Sequence, residues 1–167
     1  MSGTTIVEWA KGSVFKADPN LALQEIESLN AEWGGAAPVG KLVDHARSPD
    51  SVLHDEFEWD DSVAAAQQRV ETEKRIKRSL VYVCTQDVPK EYEPKRLRVF
   101  TSVAHKNDAG KTVRSYVSTV EAMKDPEYRA QILATAKREL QQFVNKYDQL
   151  SELAGVLDPI KDHLNDG

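Results

Sequence analysis

The stretch from residue 47 to residue 83 constrains this chain most, because a turn, an aromatic cluster, a helix and a strand follow one another there without a linker. Small polar side chains beside a proline at 48–51 predict the turn, since such side chains bond their own backbone and proline resists continuing a helix. Residues 62–80 predict a helix of about five turns. The β-branched and aromatic run at 80–84 predicts a strand.

An anchor of large apolar side chains is expected just before this helix. Leu53, Phe57 and Trp59 fall close together in a short helical turn that leads into an extended step. Asp60 and Asp61 follow, and we expect one of the two to cap the helix, because the positive end of the helix dipole favours negative charge. We interpret these five residues as a structural anchor and cap.

The face of this helix that meets the core is predicted from its apolar side chains. Val63, Ala66 and Val70 form a stripe that continues from the anchor, and Ile76 and Leu80 carry it on with some drift around the axis. We expect this stripe to be buried.

The whole chain predicts one α+β domain that is mainly helical. A first helix should start at an Asp18 cap and end at two glycines, and a second, short helix should start near Pro38. We favour a plain helical hairpin over a DNA-reading helix-turn-helix, since the second helix offers only Lys41 and Arg47 as bases. The predicted parts are an arm or edge strand at 1–17, a helical part at 18–80, an antiparallel sheet at 80–117 with strands at 80–84, 97–104 and 112–117, and C-terminal helices at 118–164.

The last third of the chain predicts a long helix with a regular apolar repeat. Seven-residue spacing gives a coiled-coil-like seam. Its members are Leu133, Ala136, Leu140, Phe143, Tyr147 and Leu150, continued by Ala154 and Leu157. The seam can pair with a copy of the chain or pack on the domain. Packing is the commoner outcome for a short seam, and Gly155 with residues 158–159 is expected to break the helix near its end.

Composition places the chain among ordinary soluble proteins. Its 167 residues are 40% hydrophobic and 29% charged, and no apolar run approaches the roughly 20 residues that span a bilayer. The N-terminus has neither the basic nor the apolar region of a secretory signal, so a cytosolic location is expected. Cys84 is the only cysteine in the sequence, which excludes an intramolecular disulfide and a Cys-based zinc site within one chain.

No motif of a catalytic or cofactor-binding site occurs. The densest polar cluster, at 54–61, combines a histidine with carboxylates that could bind a hard divalent cation, but it matches neither an EF-hand loop nor an HExxH pair. An acidic helix N-terminus also explains it, and we favour that explanation. His45, His105 and His163 show no partner pattern of a catalytic base. We therefore expect no catalytic residue, no metal, no cofactor and no small-molecule substrate.

Charge gives the main indication of a partner. The net charge is -5, but residues 69–114 carry 12 Lys or Arg against 6 Asp or Glu, and the remainder carries 10 against 21. An acidic protein with a basic middle can still present one basic face to nucleic acid. The candidate contact residues are Lys74, Arg75, Arg78, Lys95, Arg96, Arg98, Lys111 and Arg114, with Tyr92 and Tyr116 for base stacking. The alternative, which we favour, is a solvated helix face with Glu71–Arg75 and Glu73–Lys77 ion pairs.

A longer motif runs through the same stretch and into the C-terminal helix. It reads Ser48-Pro49-Asp50-Ser51-x-Leu53-His54-x-x-Phe57-x-Trp59-Asp60-Asp61, then Ala64-Ala65, Arg69, Lys74 and Arg78-Ser79, and later Arg138-Glu139-Leu140 and Tyr147. Over most of residues 18–155 the chain resembles a family of small uncharacterised proteins from tailed bacteriophages and prophages. The resemblance implies a phage origin and no particular activity. Gln68 and Lys77 depart from the aromatic and the apolar residue of that pattern, so the packing of this helix is expected to differ.

These observations together lead to a functional expectation. We expect a non-enzymatic, phage-type accessory protein that forms homo-oligomers and contacts nucleic acid through the basic helix and hairpin. The alternative is a virion or assembly component, or a module that binds a host protein, that uses the C-terminal seam. The expected location is the host bacterial cytoplasm or the virion, without a membrane anchor.

Overall fold

The computed structural model describes residues 5–60, 62–84 and 95–166. The chain forms two compact units, Met1–Ala122 and Met123–Gly167. The described residues contain both helices and antiparallel strands, which confirms the α+β class. The helices are α1 (Pro19–Glu32), α2 (Lys41–Ala46), α3 (Val63–Ser79), α4 (Thr119–Lys124), α5 (Pro126–Tyr147) and α6 (Ala154–Asn165). The strands are β1 (Thr5–Trp9), β2 (Leu80–Cys84), β3 (Lys95–Arg98), β4 (Phe100–Lys106) and β5 (Thr112–Ser118).

The predicted antiparallel sheet of three strands is present, but two of its strands differ from the predicted ones and a second, two-stranded sheet accompanies it. One sheet has the order β1-β2-β3, and β4 and β5 form a separate hairpin. The predicted strand at 97–104 is split at Val99, whose N–H donates to the Leu80 carbonyl and whose carbonyl accepts the Thr119 N–H. Val99 and Phe100 are both buried. Because neighbouring side chains of one strand point to opposite faces, two consecutive core residues favour a change of sheet at this point.

The arm at the N-terminus is the edge strand β1. It pairs antiparallel with β2, with Val7 opposite Tyr82. On the other side of β2, Leu97 of β3 lies opposite the same tyrosine. The strand that follows α3 is therefore the centre of the sheet.

The core of the N-terminal unit lies between the helices and the β1-β2-β3 sheet. α1 begins where expected, because the Asp18 side chain accepts the N–H groups of Asn20 and Leu21. Apolar side chains from most elements of this unit then form one cluster. Its buried members are Val7, Ala22, Leu23, Ile26, Leu29, Ala37, Leu42, Val43, Ala46, Leu53, Phe57, Ile76, Leu80, Val99 and Phe100.

The predicted anchor is confirmed, and the predicted cap is corrected. Leu53 and Phe57 are buried, and the Trp59 ring packs on Phe57 with 5.5 Å between ring centroids. The N-cap of α3 is Ser62, whose Oγ accepts the Ala65 N–H at 3.2 Å. At this position the short serine hydroxyl lies beside the first free N–H groups of the helix, as in a typical N-cap.

Asp60 has a different role from the one expected. Its Oδ1 accepts the Ser62 N–H at 2.8 Å, one step before the helix starts. Asp60 therefore orients the capping residue instead of capping α3 itself. The other candidate cap, Asp61, lies outside the described residues.

The inward face of α3 is largely polar, so the predicted apolar stripe is wrong in its first half. Val63 is 78% exposed and Ala66 is exposed, whereas Ile76 is fully buried. The buried residues of α3 are Ala65, Arg69, Glu73, Ile76 and Lys77. They follow the three- and four-residue spacing of a single helix face. Pairing of polar groups, and not apolar content alone, therefore decides which face of α3 is buried.

A buried ion pair makes this arrangement possible. Lys77 Nζ donates to Glu73 Oε1 at 2.8 Å, and each side chain is 1% exposed. The second Glu73 oxygen accepts the Gly40 N–H at 2.8 Å. Buried charges are tolerated when they are paired and hydrogen-bonded. The predicted Glu73–Lys77 pair is thus confirmed, but it lies in the interior and connects α3 to the residue that precedes α2.

The C-terminal unit contains two helices where one long helix was predicted. α5 ends at Tyr147, and Leu150 adopts an extended conformation (φ -90°, ψ 97°) before a 3-10 turn at Ser151–Leu153 and α6. Gly155 and Pro159, which were expected to break the helix, both lie inside α6. After the turn, Lys161 of α6 forms an ion pair with Asp148, the C-cap of α5. Throughout the described part of the chain, every helix is too short or too polar to span a bilayer.

Candidate functional site

The eight basic residues proposed to contact nucleic acid differ in exposure. Lys74 and Arg96 are half-buried. The exposed ones are Arg75 and Arg78 on α3, Lys95 and Arg98 on β3, and Lys111 and Arg114 near or in β5. Six of the eight therefore have the exposure that contact with a large polyanion requires.

The structure brings Arg78 and Arg98 towards the same end of α3. α3 continues directly into β2, and β2 pairs with β3. Arg98 lies opposite Val81, only three residues after Arg78. Within the described residues, no carboxylate forms an ion pair with either arginine. We call this pair the basic end of α3. Arg78 is engaged in part, because its Nε donates to the Lys74 carbonyl at 3.2 Å and its charge contributes to lowering the pKa of the Glu71 carboxyl.

Three other members of the group are already engaged. Lys74 Nζ lies 2.6 Å from Glu71 Oε1, and this hydrogen bond lowers the pKa of the Glu71 carboxyl. Arg96 Nη1 lies 2.9 Å from Glu8 Oε2 on β1. The Arg75 guanidinium lies 5.8 Å from the centre of the Phe15 ring, so the partner of Glu71 is Lys74 and not the predicted Arg75. These contacts reduce the charge that is free for a partner.

The hairpin carries its two basic residues away from the basic end of α3. Arg114 lies opposite Ala104 and donates to Ser102 through Nε (to Oγ, 3.1 Å) and Nη2 (to the carbonyl, 3.3 Å). Four residues separate Ala104 from Phe100, which corresponds to roughly 14 Å along the strand. Lys111 lies further out, beside the turn. The basic groups therefore follow a line along β4 and β5 and do not form a single patch.

Of the two candidate stacking tyrosines, the one that the structure describes does not add an aromatic platform to this line. Tyr116 is half-buried and packs against the core cluster. Its ring faces the interior ammonium of Lys77 at 5.8 Å. Tyr92 lies outside the described residues.

The cluster of histidine and carboxylates at 54–61 is used for packing where it is described. His54 Nδ1 lies 2.9 Å from the Ala46 carbonyl, and its ring stacks on Trp59 at 5.2 Å. Glu56 Oε1 accepts the N–H groups of Lys16 and Ala17, both at 2.6 Å. Across residues 5–60, 62–84 and 95–166, no group of three or more His, Cys, Asp or Glu side chains is arranged to hold a metal ion.

Two histidines lie beside serines, but neither pair is arranged as a serine nucleophile with a histidine base. His45 Nε2 lies 3.4 Å from Glu25 Oε2, and the Ser51 hydroxyl donates to the same oxygen at 2.6 Å, so this hydroxyl faces the acid and not the imidazole. His105 Nε2 lies 2.8 Å from Ser115 Oγ. Ser115 is 1% exposed, and a substrate cannot reach it.

The seam residues of α5 form an exposed apolar stripe. Leu133 is 54% exposed, Leu140 36% and Phe143 41%, and Ala136 is also exposed. Tyr147 is half-buried, with its ring 4.9 Å from that of Phe143. Leu150, the last predicted member, is exposed but lies beyond the end of α5. The seam of one helix therefore runs from 133 to 147.

Sequence reasoning missed the polar interior of α3. The available signal was Lys77, a lysine at a position where the pattern called for an apolar side chain, with Glu73 one turn before it. Comparison with protein-family models, with curated proteins and with solved structures found no match to this chain.

Proposed function

We propose that this protein is a non-enzymatic, self-associating binding protein that uses the apolar stripe of α5 to pair with a second copy of itself. The observation that supports this proposal is the exposure of Leu133, Leu140 and Phe143 along one line of a helix of 22 residues. Large apolar side chains in a row on a polar helix are costly in water and are typical of interaction surfaces. Together with Ala136 and Tyr147 they alternate in spacing between three and four residues, which suits a partner helix with the same spacing.

The second part of the proposal is contact with nucleic acid through the basic end of α3, Arg78 and Arg98. Both arginines are exposed, and neither forms a direct ion pair with a carboxylate among the described residues. Arg114 and Lys111 extend the positive charge along the hairpin. Phosphate contacts of this kind need no sequence-reading helix. Self-association would place two such basic surfaces in one particle and raise the affinity for a long polyanion.

The alternative is a virion or assembly component, or a module that binds a host protein. It uses the same α5 stripe with a different protein as the partner. A tailed-phage or prophage origin, which the 48–79 motif suggests, is compatible with both possibilities.

Light scattering after gel filtration tests self-association. We expect the wild type to be a dimer or larger at micromolar concentration and Leu140→Glu to be a monomer, because a buried carboxylate at the centre of the seam is strongly unfavourable. Leu21→Glu is the matched control, since Leu21 is 45% exposed on α1, and it should keep the wild-type mass. A wild-type monomer would contradict self-association and favour the alternative partner.

Fluorescence anisotropy with labelled duplex DNA tests the second part. We expect Arg78→Ala with Arg98→Ala to weaken binding and to reduce the slope of log K against log salt by about 1.8, the loss of two phosphate contacts. Lys16→Ala with Arg129→Ala removes the same charge from two exposed positions outside this surface and should change the slope less. Absence of binding by the wild type at about 50 mM salt would exclude nucleic acid as the partner.

A further inference from the structure

A groove between α2 and α3 is lined by more positive than negative charge. It encloses about 270 Å³ and is lined by Lys41, Arg47 and Arg69 together with a single carboxylate, Asp44. Lys41 Nζ lies 3.7 Å from Asp44 Oδ2, so these two charges offset each other. In the part of the chain that is described, no carboxylate forms an ion pair with Arg47 or Arg69. The groove therefore carries two guanidinium groups that form no ion pair with another described residue.

Arg69 is the unusual member of this set, because it is only 6% exposed. Its Nη1 donates to the carbonyl of Glu58 at 2.9 Å and to that of Asp60 at 2.7 Å. Its Nε is buried, and no acceptor among the described residues lies within hydrogen-bonding distance of it. Carbonyl groups carry no net charge, so among the described residues this buried cation has no counter-ion. Such an arrangement is costly unless a negative group joins it.

Both arginines lie against the Trp59 ring. The guanidinium carbon of Arg47 lies 5.3 Å from the centre of the Trp59 ring, and that of Arg69 lies 5.6 Å from it. The indole is fixed in turn, because its Nε1–H donates to the His54 carbonyl at 3.0 Å. Contact with the ring stabilises each cation. The two like charges repel each other, and an anion between them would relieve that repulsion.

We propose that this groove binds a small oxyanion, a single phosphate or carboxylate group, between Arg47 and Arg69. A guanidinium is a planar fork of donors whose geometry matches the oxygens of both groups. The groove is small for a drug-sized ligand, for which roughly 300–1,000 Å³ is usual, and it can take one such group with part of the molecule that carries it. Arg69 and Arg78 are nine positions apart, which corresponds to roughly 14 Å along α3. The site is thus separate from the basic end of α3, and it requires neither self-association nor binding to nucleic acid.

Titration of the full chain with sodium phosphate, and separately with sodium acetate, tests this proposal. Two-dimensional proton–nitrogen NMR spectra follow the Arg69 Nε–H and the Trp59 indole N–H, with sodium chloride used to hold the ionic strength constant. We expect saturable shifts of both signals. Saturation by phosphate alone assigns the site to phosphate groups, saturation by acetate alone assigns it to carboxylates, and saturation by both supports a general oxyanion site.

Arg47→Gln is the decisive variant, because Arg47 is exposed and its loss leaves the buried interior intact. We expect it to weaken anion binding by about tenfold or more, the usual effect of losing a hydrogen bond to a charged group. Arg75→Gln is the matched control, an exposed arginine over a different aromatic ring, and should change the dissociation constant by less than about twofold. The proposal is overturned if neither anion gives saturation up to about 50 mM, if chloride produces the same shifts, or if Arg47→Gln binds as tightly as the wild type.

Discussion

Replacing Lys77 by methionine should destabilise the N-terminal unit far more than a typical surface lysine substitution. Methionine retains most of the side-chain volume but removes the ammonium. The Glu73 carboxylate then remains buried at 1% exposure, with the Gly40 N–H as its one hydrogen-bond partner among the described residues. Breaking a buried ion pair by removing one partner typically costs about 3–5 kcal/mol. We expect a loss of this size in the free energy of unfolding.

The double variant Glu73→Gln with Lys77→Met should recover most of that loss. Glutamine keeps a side-chain oxygen that can accept the Gly40 N–H, and no buried charge remains. Replacement of a whole buried pair by uncharged groups is often neutral or stabilising. The free energy of unfolding of the double variant should therefore lie within about 1–2 kcal/mol of the wild-type value. In a double-mutant cycle, the two substitutions together should cost much less than the sum of their separate costs.

Denaturant unfolding followed by tryptophan fluorescence measures these values in the relevant unit, because all three tryptophans, Trp9, Trp33 and Trp59, lie between residues 1 and 122. Lys74→Met is the control. It breaks the exposed pair with Glu71 on the same helix and should cost no more than about 1 kcal/mol. The buried ion pair does not have the proposed role if the free energy of unfolding of Lys77→Met lies within about 0.5 kcal/mol of the wild-type value. The same conclusion follows if the double variant is no more stable than Lys77→Met.

Two further predictions concern the same helix. Ser62→Ala should lower the free energy of unfolding by about 1 kcal/mol, because it removes the acceptor for the Ala65 N–H; Val63→Ala, at a 78% exposed neighbour, is the control in the same fluorescence assay, and an equal effect of both would argue against the cap. The Glu71–Lys74 pair should stabilise the fold at neutral pH and weaken in acid, because Lys74 holds the pKa of Glu71 below its usual 4.5. Its contribution is complete above that value and is lost as the pH falls through the lowered pKa of the folded state. The stability difference between the wild type and Lys74→Met should therefore shrink on acidification, and a difference that grows instead would contradict the assignment.

The parts of the fold that could be predicted from the sequence depend on short-range chemistry. The Asp18 cap bonds N–H groups two and three residues away, and the Ser48 hydroxyl accepts the Asp50 N–H within the predicted turn. Leu53 and Phe57 are large apolar residues next to a turn, and they are buried as expected. In each case the partner is visible in the neighbouring sequence.

The errors concern interactions between distant residues. The burial of Glu73 depends on the N–H of Gly40, which is 33 residues earlier in the chain. The apolar side chains alone predict the opposite orientation of α3, in which Val63 faces the core and the charged residues face solvent. In the same way, the split of the predicted strand at Val99 depends on a hydrogen bond to Leu80. The sequence signal for it was the pair of adjacent apolar residues, Val99 and Phe100.

The candidate site shows the same division. Arg78 and Arg98 are charged residues in a polar stretch of sequence, so their exposure could be predicted, and both are exposed. The ion pair that engages Arg96 joins it to Glu8, 88 residues earlier, and no local pattern could have indicated it. The groove at Arg69 likewise needs α2, the residues before α3 and the Trp59 ring to be brought together.

Ser79 of α3 is followed directly by Leu80 of β2. The 3.6-residue period of a helix therefore meets the two-residue period of a strand without a linker. Insertion of one residue here would rotate α3 by about 100° relative to the strand, whereas a one-residue slip in β2 would exchange the two faces of the sheet. The Glu73–Lys77 pair fixes the rotation of the helix, and the Val7–Tyr82 pairing fixes the register of the strand. A change in chain length at the junction would therefore disrupt at least one of these two contacts. The junction therefore ties the rotation of α3 to the register of the central strand of the sheet.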